Sequence, residues 1–106
     1  MSRGISIRPA ASNDIDQHVS YLAENDPSAA MRFFDAARQT FANLARTPGI
    51  GKIYRAGEDE TQNIRRWAVK GFKSHLIFYR FDHEVVEIIR VLHGAQDIER
   101  ILEDSD

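Results

Sequence analysis

The chain contains no cysteine among its 106 residues, so the sequence excludes disulfide bridges and thiolate metal sites. That absence fits an intracellular protein. The chain also has no apolar run approaching the length of a transmembrane helix, and its N-terminal segment MSRGISIRP lacks the apolar core of a signal peptide. Its length suffices for one modest core and not for two. We therefore expect a single domain, residues 1–106, in the cytoplasm and away from membranes.

The sequence also lacks the short motifs that mark the common enzyme classes. It has no glycine-rich phosphate loop and no serine-centred nucleophile elbow. The spacing of its four histidines (His18, His75, His83 and His93) is not that of paired metal ligands. We therefore expect neither a metal site nor a cofactor.

Charge is the property that the sequence distributes most unevenly. The net charge is only −2, but the segment from Arg46 to Arg80 contains eight basic residues and three acidic ones. Beyond Gly94 the balance reverses, with five acidic residues against Arg100. A locally basic surface on a mildly acidic chain indicates a directed contact with an acidic partner rather than general coating of nucleic acid.

Two amphipathic helices are predicted in the N-terminal half, after a short strand at Ile5–Arg8 that Pro9 ends. Ser12 or Asn13 is the expected cap of the first helix, and the Asn25–Pro27 segment stops it and starts the second. The second helix is expected to bury one apolar face, formed by Ala30, Phe33, Phe34, Ala37, Phe41 and Leu44. So tight a connection predicts an antiparallel helical hairpin.

The C-terminal half is predicted to form most of a sheet. Residues 49–63 are rich in glycine and acidic residues and are predicted to be a loop. Three β-type runs follow, at Ile64–Val69, His75–Phe81 and Val85–His93, and their short turns imply an antiparallel meander. A short helix over Asp97–Leu102, capped by Asp97, is expected after them. The order β-α-α-β-β-β(-α) predicts an α+β fold, with the helical hairpin packed on one face of a small, mainly antiparallel sheet.

The cations of these strands are the main candidate for a binding surface. Arg65 and Trp67 share one face of their strand, and Arg80 and Arg90 lie on neighbouring strands. Their guanidinium groups can converge on a phosphate or carboxylate, beside Trp67 as a stacking surface. In the alternative interpretation the arginines form the solvated face of a half-buried sheet and Trp67 belongs to the core. The aromatic residues assigned to the core are Phe33, Phe34, Phe41, Phe78 and Phe81.

His93 has two interpretations. A histidine beside Arg90 can act as a general acid or base in RNA cleavage, because its pKa lies near neutrality. It can instead close the strand by hydrogen bonding the Gly94–Asp97 turn. We favour the second role, since no proton-transfer partner lies near His93 in the sequence.

Three segments follow one another in a recognisable order: Trp67–Phe72, Leu76–Arg80, and Ile88–Gly94 followed by Asp97. Together they resemble the successive strands and the exit of toxins of the RelE/ParE superfamily, most closely the ParE branch. The resemblance extends to the first strand and the helical hairpin, and so covers nearly the whole chain. It implies a toxin of a type II toxin–antitoxin system.

The resemblance implies a ParE-like inhibitor of DNA gyrase, without catalysis of its own, neutralised by a cognate antitoxin. One alternative is a RelE-like, ribosome-dependent mRNA endoribonuclease; its catalytic residues would be Arg65, Lys73, Arg90 and His93. The other is a non-toxic member that binds an antitoxin. No tyrosine follows Tyr79 and the tail is acidic, which disfavours RNA. The Gly94–Asp97 exit also lacks the two arginines of the His-Gly-Arg-Arg-Asp exit of many ParE proteins.

Partner contacts are expected on the basic strands. An extended antitoxin segment with acidic residues would meet the surface between Arg65 and Arg80. The residues predicted to bind the target or the antitoxin are Arg65, Trp67, Lys70, Lys73, Arg80, Arg90 and His93.

Overall fold

A computed structural model describes residues 2–104. In chain order the elements are strand β1 (Gly4–Ile7), helices α1 (Pro9–Asn25) and α2 (Pro27–Arg46), strands β2 (Lys52–Arg55), β3 (Ile64–Val69), β4 (Phe72–Phe81) and β5 (Val85–His93), and helix α3 (Ile98–Glu103). Single-turn 3-10 helices at Pro48–Ile50 and Glu60–Gln62 lie on either side of β2. The architecture is α+β, with two consecutive helices packed on a sheet, as predicted.

The five strands form one sheet in the order β1-β5-β4-β3-β2. β1 pairs with β5 in parallel, and the other pairs are antiparallel, so the predicted β3–β5 meander is confirmed. The pairing of β1 ends where Ile7 lies opposite Ile88. Beyond Ile88, therefore, β5 has no strand on that side within residues 2–104.

The loop predicted over residues 49–63 is wrong for Lys52–Arg55, which forms edge strand β2. Four residues are too short for a recognisable alternation, and pairing with β3 holds them in place. β4 also begins earlier than expected, at Phe72. The two-residue turn before it is possible because Gly71 adopts a φ of +80°, which a residue without a Cβ reaches at little cost.

The start of α1 also differs from the prediction. The helix begins at Pro9, with Arg8 at the N-cap position and no capping side chain. Proline suits the first helical position because the N–H it lacks would have no partner there. At α2 the predicted cap is confirmed, since the Asp26 carboxylate accepts a hydrogen bond of 3.1 Å from the Ala29 N–H.

Apolar side chains cover both faces of the sheet. The helix face, which α1 and α2 cover, buries Phe33, Phe41, Leu44, Ile77, Tyr79, Val86, Ile88 and Val91. The opposite face buries Ile64, Phe78, Ile89 and Leu92 beneath Leu102 of α3. Phe34 was assigned to the core, but this residue is 37% exposed and lines a surface groove beside Ile5 and Ile7 of β1. Within residues 2–104 no helix is long and apolar enough to cross a membrane.

Candidate functional site

The predicted basic surface is not one surface. The guanidinium groups of Arg80 and Arg90 do not converge on a shared anion site, because each is paired with a different carboxylate of the chain itself. Arg65 is held by backbone carbonyls at a third place. Three of the predicted binding residues therefore have structural partners.

Arg90 is bound by Asp14 of α1. Its Nε and Nη2 donate to the two carboxylate oxygens, each at 2.7 Å, and the Val91 N–H donates to the same carboxylate at 2.9 Å. Hydrogen bonding to Asp14 raises the pKa of Arg90 above its ordinary value, although burial opposes this. The side chain of Asp14 thus takes the place of a neighbouring strand where β1 has ended.

Arg80 belongs to a cluster with Glu87 and Arg8. Nε of Arg80 donates to Glu87 at 2.8 Å, and Nε of Arg8 donates to the same carboxylate at 3.1 Å. Burial alone would raise the pKa of Glu87, but the hydrogen bonds from Arg80 and Arg8 outweigh it and hold that pKa below its ordinary value. The Glu87 carboxylate on β5 therefore links Arg8, which directly follows β1, to Arg80 on β4.

Arg65 and Tyr79 hold the segment that connects α2 to β2. Nη1 of Arg65 donates to the carbonyl of Gly51 at 2.8 Å. The buried Tyr79 hydroxyl accepts from the Gly51 N–H at 2.9 Å and donates to the Pro48 carbonyl at 2.7 Å. Burial raises the pKa of Tyr79, so the phenol keeps its proton. A Cβ at Gly51 would collide with the Tyr79 hydroxyl, so the close approach requires glycine.

Three predicted residues do meet in one groove, between the C-terminal half of α2 and the β3–β4 turn. Trp67, Lys70 and Lys73 line it together with Arg46 and Ile50, and its volume is about 490 Å³. Trp67 is 36% exposed, so the core alternative for this residue is wrong. The three cations of this groove, Arg46, Lys70 and Lys73, form no ion pair within residues 2–104. We call these three residues, together with Trp67 and Ile50, the cationic groove.

The groove is built on a firm support. The buried hydroxyl of Thr40 on α2 donates to the Ala36 carbonyl at 2.7 Å and accepts from the Lys70 N–H at 3.1 Å. This bond ties the β3–β4 turn to the helix, so the backbone that carries Lys70 is positioned before any partner binds. A preformed site loses less entropy on binding than a mobile one.

His93 lies away from the groove, at the end of β5. Its Nδ1 accepts a hydrogen bond of 3.0 Å from the Ala95 N–H, and its own N–H donates to Gln96 Oε1 at 2.7 Å. The favoured role, closure of the turn after the strand, is therefore confirmed. His18 and His75 lie next to it. Residues 2–104 contain no group of three or more histidine or carboxylate side chains arranged to hold a metal ion.

A family model describing the ParE toxin of the type II toxin–antitoxin system parDE matches residues 5–98. The chain belongs to this family. Among curated proteins, none matches the chain at a significant level.

Two solved structures share the fold. One, described as the chromosomal ParDE toxin–antitoxin system from P. aeruginosa, has a TM-score of 0.68 at 14% identity, and the match covers 87% of this chain and 96% of that one. The other, the toxin–antitoxin complex RelBE2 from Mycobacterium tuberculosis, has a TM-score of 0.53 at 24% identity, covering 88% and 99%. At these identities the likeness shows the fold, and the family-model match over residues 5–98 confirms the predicted ParE branch of the RelE/ParE superfamily.

Sequence reasoning missed several residues of these clusters. No sequence pattern indicated roles for Asp14 and Glu87. Arg90, the partner of Asp14, and Arg8, one partner of Glu87, lie more than 70 positions away from them. Arg80, the other partner of Glu87, lies near it across the β4–β5 turn. An Arg80–Glu87 pair is what an antiparallel hairpin predicts once its register is known. His18 and His75 lie on different elements, so their proximity to His93 has no counterpart in sequence spacing.

Proposed function

We propose that the chain is a toxin that binds and inhibits DNA gyrase without catalysis of its own, and that a cognate antitoxin neutralises it. One observation carries the choice of a binding protein over a nuclease. The four residues that ribonuclease activity would need lie in four different environments: Arg65 on carbonyls, Lys73 in the cationic groove, Arg90 on Asp14 and His93 in the turn. General acid–base catalysis needs such groups within reach of one substrate atom.

The cationic groove is the proposed contact surface. Lys70, Lys73 and Arg46 have no acidic partner within residues 2–104, and Trp67 and Ile50 leave apolar area exposed beside them. Cations around an apolar anchor suit a protein segment that presents acidic side chains around one apolar residue. The antitoxin is proposed to supply such a segment, and both similar structures are described as toxin–antitoxin systems. We assign Arg65, Arg80 and Arg90 to the scaffold instead.

Two parallel assays test the activity. Purified protein is added to gyrase supercoiling and DNA-cleavage reactions, and to a translating-ribosome reaction in which mRNA cleavage is mapped. The proposal predicts loss of supercoiling with intact mRNA. Cleaved mRNA with unaffected gyrase would overturn the proposal in favour of the ribosome-dependent endoribonuclease, and inactivity in both assays would overturn it in favour of the non-toxic, antitoxin-binding alternative.

A charge-reversal variant tests the surface. The double substitution Lys70→Glu/Lys73→Glu is expected to weaken antitoxin binding at least tenfold, measured by calorimetry at low and physiological salt. Arg100→Glu is the matched control, because Arg100 is an exposed cation on α3, on the opposite face of the sheet. Equal antitoxin affinity of the double variant and the control would show that the cationic groove is not part of the antitoxin interface. That result would have no bearing on the outcome of the gyrase assay.

A further inference from the structure

Three of the four histidines meet at one end of the sheet, although they lie on α1, β4 and β5. The ring centroid of His75 is 4.9 Å from that of His18 and 5.0 Å from that of His93, and both ring pairs are close to perpendicular. Phe33 of α2 and Phe72 of β4 also contact the His75 ring, with centroids 4.8 and 6.1 Å away. His75 therefore lies between two other imidazoles in mostly apolar surroundings.

The two outer rings hold the end of β5 and the turn that follows it. Nε2 of His18 donates to the Val91 carbonyl at 2.8 Å, and the Ala95 N–H donates to Nδ1 of His93 at 3.0 Å. A ring nitrogen that accepts a hydrogen bond carries no proton, so Nδ1 of His93 is the acceptor nitrogen in this arrangement. Protonation of His93 at Nδ1 would remove the acceptor for Ala95.

Among residues 2–104, the groups that face these rings bring no negative charge to them. Beside the rings, α1 and the turn contribute Gln17, Tyr21, Leu22, Ala95 and Gln96. On β4, Lys73 lies two positions before His75. Asp14, one turn before His18, is bound by Arg90, and Asp97 forms no ion pair with the cluster. Within this part of the chain, positive charge added to the rings therefore meets no compensating carboxylate.

The protonation equilibrium of His75 reflects these surroundings. Burial, with a smaller effect of charge repulsion from the neighbouring His18 and His93, lowers the pKa of His75 from 6.5 to about 4. The fourth histidine, His83, lies outside the cluster, exposed beside Glu84 in the β4–β5 turn.

We propose that His18, His75 and His93 form an acid-sensitive latch, which holds the C-terminal segment 94–104 on the sheet and releases it when the rings take up protons. The proton on His93 breaks the bond to Ala95, and repulsion among the rings separates β5 from α1 and β4 at this end. α3 follows directly from that turn, so its Leu102 leaves the opposite face of the sheet. Release exposes the apolar set Ile64, Phe78, Ile89 and Leu92. This inference is independent of the proposed toxin activity.

Amide hydrogen exchange of the full chain from pH 7.5 to 4.5 tests the latch. The α3 amides are expected to lose protection with a midpoint between the ordinary histidine pKa of 6.5 and the value of about 4 for His75, while the core amides of Ile77 and Ile88 stay protected. Binding of a hydrophobic dye should rise several-fold over the same range. Protection of α3 throughout, or simultaneous loss of protection in α3 and the core, would overturn the proposal.

Two variants and a control assign the effect to the cluster. His93→Asn keeps an acceptor oxygen that does not titrate here, and His75→Gln removes the central imidazole; each should move the midpoint at least one pH unit lower. His83→Gln should leave it unchanged. An unshifted midpoint in both cluster variants would contradict the latch. In the wild type, ring-proton NMR gives a check that needs no variant: a His75 titration midpoint at the ordinary value of 6.5 would also contradict it.

Discussion

The carboxylate of Asp14 and the guanidinium of Arg90 form a two-bond ion pair between α1 and β5, with both N···O distances at 2.7 Å. The pair lies where β1 stops, and Asp14 is only 4% exposed. Because the same carboxylate accepts the Val91 N–H, it satisfies a strand edge that would otherwise be buried without a partner. The pair therefore sets how α1 crosses the sheet.

Asp14→Ala should destabilise the domain. The substitution removes the Asp14 carboxylate from the Arg90 guanidinium and from the Val91 N–H, which costs on the order of 3 kcal/mol for a largely buried pair. The measurement is the free energy of unfolding in urea at neutral pH. Asp16→Ala, an exposed carboxylate on the same helix, is the control and should change stability by less than about 0.5 kcal/mol.

Arg90→Glu should destabilise the domain at least as much. The sequence alone assigned Arg90 to the binding surface, but in the structure this substitution would place a second carboxylate against that of Asp14. The loss of stability should be partly rescued by Asp14→Lys in the same chain, and a double-mutant cycle on unfolding free energies measures this. Additive effects of the two changes would argue against the pair as a source of stability.

Tyr79→Phe should loosen the segment between α2 and β2. The Gly51 N–H and the Pro48 carbonyl both lose the hydroxyl that links them, at a cost of about 1–3 kcal/mol in unfolding free energy. Ile50 lies in the same segment, so partner affinity at the cationic groove should fall as well. Tyr21→Phe, at a mostly exposed tyrosine, should change neither quantity.

Leu44→Ala should open a cavity between α2 and the helix face of the sheet. Leu44 is completely buried, and truncation of such a side chain costs about 2–5 kcal/mol. Thermal or urea unfolding measures the loss. Met31→Ala on the exposed side of the same helix is the control and should change stability by less than about 0.5 kcal/mol; a similar loss there would mean that the burial of Leu44 does not set the cost.

Stability should fall as the pH falls from 6.5 to 4. His75 has a folded pKa of about 4 and an ordinary value of 6.5, so the unfolded chain binds more protons in this interval. The contribution of the neutral ring is complete above pH 6.5 and lost as the pH approaches 4, by about 2–3 kcal/mol. Urea unfolding across this range measures the slope, and His75→Gln should flatten it while His83→Gln leaves it steep.

Local patterns were sufficient for most of the secondary structure. The apolar period of α2, the Asp26-Pro27 start and the β-type composition of β3, β4 and β5 each act over a few neighbouring residues, which a sequence displays directly. β2 was not predicted, because its conformation depends on pairing with β3 rather than on its own four residues. The start of α1 was misplaced because Pro9 at the first position does without a capping side chain.

By itself, the sequence determined the α+β order, the family and the list of cations available for contacts. Only the tertiary structure decided which cations are available to a partner. Nothing in the sequence distinguishes the three arginines at 65, 80 and 90 from Lys70 and Lys73. The fold places backbone carbonyls against Arg65, Glu87 against Arg80 and Asp14 against Arg90. It leaves the two lysines in an open groove. The physical reason is that an ion pair depends on distance in space, and partners such as Asp14 and Arg90 are 76 positions apart in the chain.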